Sequence, residues 1–456
     1  MSHESLEAGE ACPDCRQGTL YEKSPSVRVR ITGQAPLDAE VYPLQKLRCP
    51  RCGKVFTARA PEAAGTRKYD ATAASMIALL KYGSGLPFNR LEGLERDLEI
   101  PLPASTQWDL VQAFAPGITP ALEELIRQAA QGDVVHKDDT TVKILELMGD
   151  RAREAKDASD PSRTGLFTSG IVASRAGHRR ALFFSGRRHA GENLVEVLKR
   201  RAEQREAPIQ MCDALSRNMP RELATIVANC LAHARRQLVE IHDRFPEECR
   251  TVLEALKVVD HNDHLARQEG LSAEQRLRVH QARSGTTMHQ LHHWLKRQFD
   301  EKLVEPNSAL GEALRSMRKR GEKLTLLLRQ AGAPLDNNLC ERPLKKTILP
   351  RKNALFFKTP NGARVGDRYR SLIHTCALNP ANPLDYLREL LRHGDEGAAN
   401  PERWRERSRH ARPTPAGRLG AAAAPPRKLP NSPHPGSEKF CTLAGRTRES
   451  GRIGTA

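Results

Sequence analysis

From Asp70 onward the apolar positions recur at helical spacing. Met76, Ile77, Leu79 and Leu80 mark one face of a helix over Ala71 to Tyr82, and Gly83 to Pro87 interrupts it. The pattern resumes over Asn89 to Leu98, and again from Ser105 through Trp108, Leu110 and Val111. Three short helices suit a helix-turn-helix within a helical region spanning 66–128, although a plain helical linker gives the same pattern. The period then changes. Val134 to Leu145 is β-branched and apolar with two acids in its middle, and 165–174 and 180–185 read as further strands around a turn at Arg175 to His178. A helix over about 190–204 leads through Pro208 to a fourth strand, Ile209 to Asp213. Residues 220–330 read as almost entirely helical, with buried stripes such as Leu253 to Val259 and Leu324 to Leu328. From Gly394 the periodicity stops and Pro, Gly, Ala and Arg dominate, so 394–456 is expected to be a disordered basic tail.

Strand, strand, strand, helix, strand is the opening order of a ribonuclease H-like fold. The chain is therefore expected to be α/β, with such a domain over 129–358 carrying a large all-α insertion at about 220–330, and a helical element over 359–393. Ahead of it, after a flexible 1–11, residues 12–62 have a different character. Cys12-Pro-Asp-Cys15 and Cys49-Pro-Arg-Cys52 are two CxxC knuckles, which together can close a four-thiolate zinc site. Val27 to Ile31 alternates like a strand, and Lys54-Val55-Phe56 follows the second knuckle, so the segment resembles a zinc ribbon.

Charge points to the partner. Lys and Arg outnumber Asp and Glu by 73 to 55 in 456 residues, a net +18, with clusters at Arg315 to Arg320 and at Lys345-Lys346. A solvated helix face accounts for any one cluster, but the excess along the whole chain favours a polyphosphate such as DNA. The remaining cysteines are scattered singly, as in a reducing cytosol, and no window approaches the apolar run needed to span a bilayer. A soluble cytoplasmic protein with no membrane partner is expected.

Cutting DNA by a two-metal mechanism requires acidic oxygens that hold two Mg2+ ions about 4 Å apart. Asp138 in the first strand, Asp213 at the end of the fourth, and Glu341 after the helical insertion could supply them. Each has a structural competitor. Asp139 lies beside Asp138 and faces the other side of the strand, Asp213 could cap a turn before Ser216, and Glu341 stands where a capping-box glutamate would follow Asn338. Cys230 with His233, and the group His289, His292 and His293, also have metal-like spacing, but a buried core pair and an ordinary amphipathic helix are the preferred readings. Arg342, Lys345, Lys346, Arg351 and Lys352 flank the third acid and are candidates for phosphate contact.

Asp138-Asp-Thr-Thr-Val-Lys-Ile-Leu, Cys230-Leu-Ala-His-Ala-Arg-Arg236, Asp336-Asn-Asn-Leu-Cys-Glu-Arg342 and Arg351-Lys-Asn-Ala-Leu-Phe-Phe357 together resemble transposases of the insertion sequence 66 family. The likeness extends over roughly residues 12–393, including 371–391. It implies that Asp138, Asp213 and Glu341 are the triad of a DDE recombinase using two Mg2+ ions. It also implies that Cys12, Cys15, Cys49 and Cys52 bind zinc, and that 70–115 is the helix-turn-helix. The partners implied are double-stranded DNA at element ends and targets, a homo-oligomer on that DNA, and small accessory proteins of the same element. A catalytically inactive zinc-dependent DNA-binding protein derived from such a transposase is the alternative. Pro343, close behind Glu341, is expected to strain or shift its turn.

Overall fold

In the computed structural model, residues 5–24, 26, 28, 30–149, 165–213 and 224–394 are described, with the side chains of Pro350 and Arg351 excepted. The expected tail therefore lies outside the described residues. The amino-terminal segment holds one small hairpin, β1 (Lys46–Arg48) and β2 (Val55–Thr57), paired around the second knuckle. The strand expected at Val27 to Ile31 falls partly outside the described residues, and its described members Arg28, Arg30 and Ile31 are unpaired.

Helix α1 (Ala71–Ala78) starts where the Asp70 carboxylate accepts from the backbone N–H groups of Thr72 and Ala73, at 3.0 and 2.9 Å. A π-helical turn over Leu79–Gly83 continues it. Then come α2 (Phe88–Asp97), α3 (Ala104–Phe114) and α4 (Thr119–Ala130). Their apolar faces are not self-sufficient. Ile77, Leu91 and Val111 join Val135, Ile171, Leu182 and Tyr369 in one core, so these helices are packed onto the sheet that follows.

That sheet contains β3 (Val134–Thr141), β4 (Phe167–Arg175), β5 (His178–Gly186), β6 (Ile209–Cys212) and β7 (Ile226–Asn229), with α5 (Ala190–Leu198) before β6. Its order is β5-β4-β3-β6-β7. The first three strands run antiparallel to their neighbours, while β6 and β7 run parallel to β3 and to each other. Strand β7 corrects the expectation that 220–330 is all helix. Ile-Val-Ala-Asn is too short to show a period, and its strand character comes from pairing with β6.

Helices α6 (Leu231–Ile241), α7 (Pro246–Gln268), α8 (Ala273–Val279), α9 (Gly285–Asp300) and α10 (Ala309–Leu324) form the insertion. They close over a second core that reaches the sheet through Ile209, Met211 and Ala228. A buried polar knot ties α7 to the π-turn His280–Ser284. Asp263 accepts from Arg276 at 2.5 Å and contacts His280 at 3.2 Å and Arg267 at 2.6 Å. Burial acts to raise its pKa, but these partners prevail and hold it at about 2. Replacing Asp263 with Ala takes from buried His280 and half-buried Arg276 their shared partner, so a loss of about 2 kcal/mol is expected in thermal unfolding. Because the folded pKa is depressed, this contribution is present above about pH 4 and is lost as pH falls toward 2.

The chain returns through α11 (Asn338–Ala354), α12 (Pro360–Leu378) and α13 (Pro383–Arg392). Helix α12 seals the exposed edge of β5 in an unusual way. Asp367, Ser371, Thr375 and Asn379, each four residues apart, accept from the backbone N–H groups of Ser185, Phe183, Ala181 and Arg179. A helical stripe thereby replaces the missing neighbour strand. No helix among the described residues is long and apolar enough to cross a membrane.

Candidate active site

The sheet register brings two of the expected acids together. β3 and β6 pair in parallel up to His136 with Met211, and Asp138 and Asp213 each lie two residues beyond that last pair. Adjacent strands are about 4.8 Å apart. Asp138 is half-buried, and burial is the first cause raising its pKa to about 7. The charges of Asp213, Glu341 and Asp139 raise it further, so Asp213 and Glu341 are within electrostatic reach.

Asp139 is accounted for on the opposite face. Its carboxylate accepts from Ser169 Oγ at 2.7 Å and from the Ala190 N–H at 2.9 Å, where α5 begins. His189 Nδ1 lies 3.6 Å away. Asp139 thus binds the start of α5 to β4, and Asp138 is the member of the pair on the side of α11.

The Asp336-Asn337-Asn338 motif has a positioning task. Asp336 accepts from the Asn338 N–H at 2.9 Å, which takes the role that a capping-box Glu341 would have had. Fully buried Asn337 donates from Nδ2 to the carbonyl of Lys137 at 3.0 Å, and its N–H donates to Cys230 Sγ at 3.2 Å. One turn of helix is therefore fastened to β3 immediately beside Asp138, with α6 held to it as well. Glu341 is only 6% exposed, and its Oε1 accepts no hydrogen bond among the described residues. Its basic neighbours are His233 at 3.6 Å, Arg236 at 3.8 Å and Lys345 at 3.9 Å.

Pro343 does not break this helix, which runs unbroken to Ala354. The proline sits close enough to the amino end that a single carbonyl, that of Leu339, loses its helical donor. Gly170, the register partner of Asp138, permits the close approach: a Cβ there would lie 3.2 Å from Cys340 Sγ and 3.3 Å from Leu344 Cδ1. Gly170→Leu should push α11 off the sheet and lower any activity that depends on Glu341 by at least about a hundredfold. Steady-state assay beside circular dichroism separates this displacement from unfolding.

Cys230, His233 and Glu341 form the single group of three or more ligating side chains, among the described residues, whose ligand atoms all lie within 4.8 Å. Burial pushes the Cys230 thiol up to about 11, which keeps it protonated at neutral pH. The four amino-terminal sulfurs are thus not gathered into one tetrahedron. They form two matching halves instead. In each knuckle the first cysteine's carbonyl accepts from the residue after the second cysteine, Arg16 or Gly53, at 2.9 Å, and both of those residues have positive φ. Backbone donors, with the partner thiol, lower the pKa of exposed Cys15 and half-buried Cys49. In each half one thiol is thereby shifted toward its thiolate form.

Arg342, Lys345, Lys346 and Lys352 are exposed along α11, whereas the Arg351 side chain lies outside the described residues. Residues 68–365 match the model of the Transposase IS66 family. The chain belongs to that family. Curated relatives in Sinorhizobium fredii (strain NBRC 101917 / NGR234) include uncharacterized protein y4hP, 26% identical over 76% of this chain and 63% of the relative. Uncharacterized protein y4qI from the same strain is 24% identical over 69% of this chain and 58% of its own length. The chain thus spans about three fifths of the length of these two relatives. The roles of Asn337, Gly170 and Asp139 went unread in the sequence, because each depends on a partner far along the chain.

Proposed function

We propose that the chain is the DNA transposase of an insertion sequence, cutting and joining DNA with Asp138, Asp213 and Glu341 as a DDE-type triad. The carrying observation is the register-matched pair Asp138 and Asp213 with the charge of Glu341 acting on the same site. Membership of the transposase family and the net +18 charge agree with it. Three antiparallel strands followed by a helix and a parallel strand support a ribonuclease H-like domain.

Three acids whose charges act on one site, with a buried Glu341 oxygen lacking a donor, suit hard divalent cations such as two Mg2+ ions. Bound there, the cations would activate the attacking oxygen and stabilise the leaving one. Asn337 fixes Glu341 relative to β3, and exposed Arg342, Lys345, Lys346 and Lys352 offer phosphate contacts beside the acids. Water would serve as nucleophile first, and the freed 3′-hydroxyl would then attack target DNA. Zinc at the knuckles and α1 to α3 would bind element ends in a homo-oligomer, with accessory proteins of the element as further partners.

The test is Mg2+- or Mn2+-dependent nicking of duplexes that carry the element ends. Wild-type protein should cut, and Asp213→Asn should bind equally well without cutting. Binding without cutting by the wild type would leave only a DNA-binding protein.

A further inference from the structure

Beside the acids lies a cleft of about 1070 Å3, entered where Thr140 and Thr141 leave β3 and bounded by α2, α3, the start of α12 and residues 354–360. Its wall combines aromatic and cationic side chains, and phosphate contact to a duplex requires only the cations. Lys81 packs over the Phe88 ring at 4.6 Å and makes no ion pair among the described residues. Arg364 and Lys358 are exposed on the same wall, and Glu146 is its acidic member.

The rim is built to present an aromatic ring. The link between α11 and α12 is pinned to the chain beyond β3: Phe357 N–H donates to Lys143 at 2.8 Å, and Leu145 N–H donates to Phe357 at 2.9 Å. Leu355 is held at φ 65°, a conformation that is costly for a leucine. As a result Phe357 packs 5.3 Å from the buried Arg370 guanidinium, while its neighbour Phe356 remains 45% exposed at the mouth. Trp108 reaches the same space from α3.

We propose that this cleft receives an unpaired nucleotide of the DNA strand being processed, its base stacked on Phe356 and Trp108 and its phosphate met by Lys81 and Arg364. Within a duplex both faces of a base are covered by its neighbours, so an aromatic side chain stacks fully only on a base that has left the helix. Thr140 is two residues beyond Asp138, about 7 Å along a strand, or roughly one nucleotide from the acids. The link to a strand being cut rests on the proposed function, but the cleft's preference for an unpaired base does not.

Binding of a thymidine pentanucleotide to the full zinc-loaded chain, with no Mg2+ or Mn2+ added so that cutting is excluded, is read by quenching of tryptophan fluorescence. Wild-type protein should show saturable quenching that Trp108→Phe removes and that a blunt two-stranded duplex competes for poorly. Phe356→Ala and Lys81→Gln should each weaken binding about tenfold, with Phe356→Tyr restoring it. Equal competition by the duplex, or unchanged binding in Phe356→Ala, overturns the inference. Asp213→Asn should quench as the wild type does. Quenching in a protein that never cuts DNA therefore rejects the cutting role alone, and cutting without quenching rejects the cleft alone.

Discussion

Asp138→Asn should abolish metal-dependent cutting, by at least about a thousandfold, and at the same time make the metal-free protein harder to unfold. The two effects diverge because the carboxylate is useful only when a cation is present. Without one, burial and the nearby charges of Asp213 and Glu341 raise its pKa to about 7, well above an ordinary aspartate. Between about pH 4 and 7 the folded protein then holds a proton that the unfolded chain has released. Stability falls as pH rises through that window, by an amount on the order of a few kcal/mol, and the asparagine variant should lose this slope. Mg2+ should raise the melting temperature of the wild type and leave that of Asp138→Asn unmoved. Melting curves with and without Mg2+ at pH 5 and pH 8 check all three points. A variant less stable than the wild type at pH 8 would show that Asp138 is a structural residue.

Removing zinc should unfold the amino-terminal module and leave the rest of the chain folded. Residues 12–62 contain almost nothing that could serve as a core. Leu47, Val55 and Phe56, the apolar members of the hairpin, are each more than half exposed, and both strands are three residues long. A segment of this kind derives its stability from the metal, where a structural zinc contributes about 10 kcal/mol or more. The matched knuckles, each with a residue of positive φ and backbone donors to a thiolate, suit one ion shared between them. Metal analysis should find one zinc per chain. Cys49→Ser should lose it, and proteolysis should then gain new cuts within 12–62 and none elsewhere. Binding to element ends should weaken severalfold or more, because the module would act as one of the DNA contacts. Retention of zinc by Cys49→Ser would move the metal elsewhere, with Cys230, His233 and Glu341 as the place to look.

The edge seal of β5 offers a contrast in what a sequence reveals. Asp367, Ser371, Thr375 and Asn379 recur every four residues, so they share one helix face, and that much is visible along the chain. Their meaning is not, since the donors they satisfy lie almost two hundred residues earlier. Asp138 and Asp139 show the same limit. Alternation guarantees that they face opposite sides, and only the packing of α11 on one side and α5 on the other assigns them.

By itself the sequence determined the chemistry available and the local elements: the CxxC pairs, the three acids, the helical run from Ala71, the strand at Val134, and the return through Asp336 to Glu341. These follow from residue type, period and spacing, which act over a few residues. The tertiary structure decided that β3 and β6 adjoin in a register that leaves Asp138 and Asp213 each two residues past the last pair, that Gly170 admits α11, that Asn337 anchors the turn carrying Glu341, and that Ile226–Asn229 is a strand. Each of these is a contact between segments far apart in the chain, set by which surfaces can be buried together, and no local pattern encodes that choice.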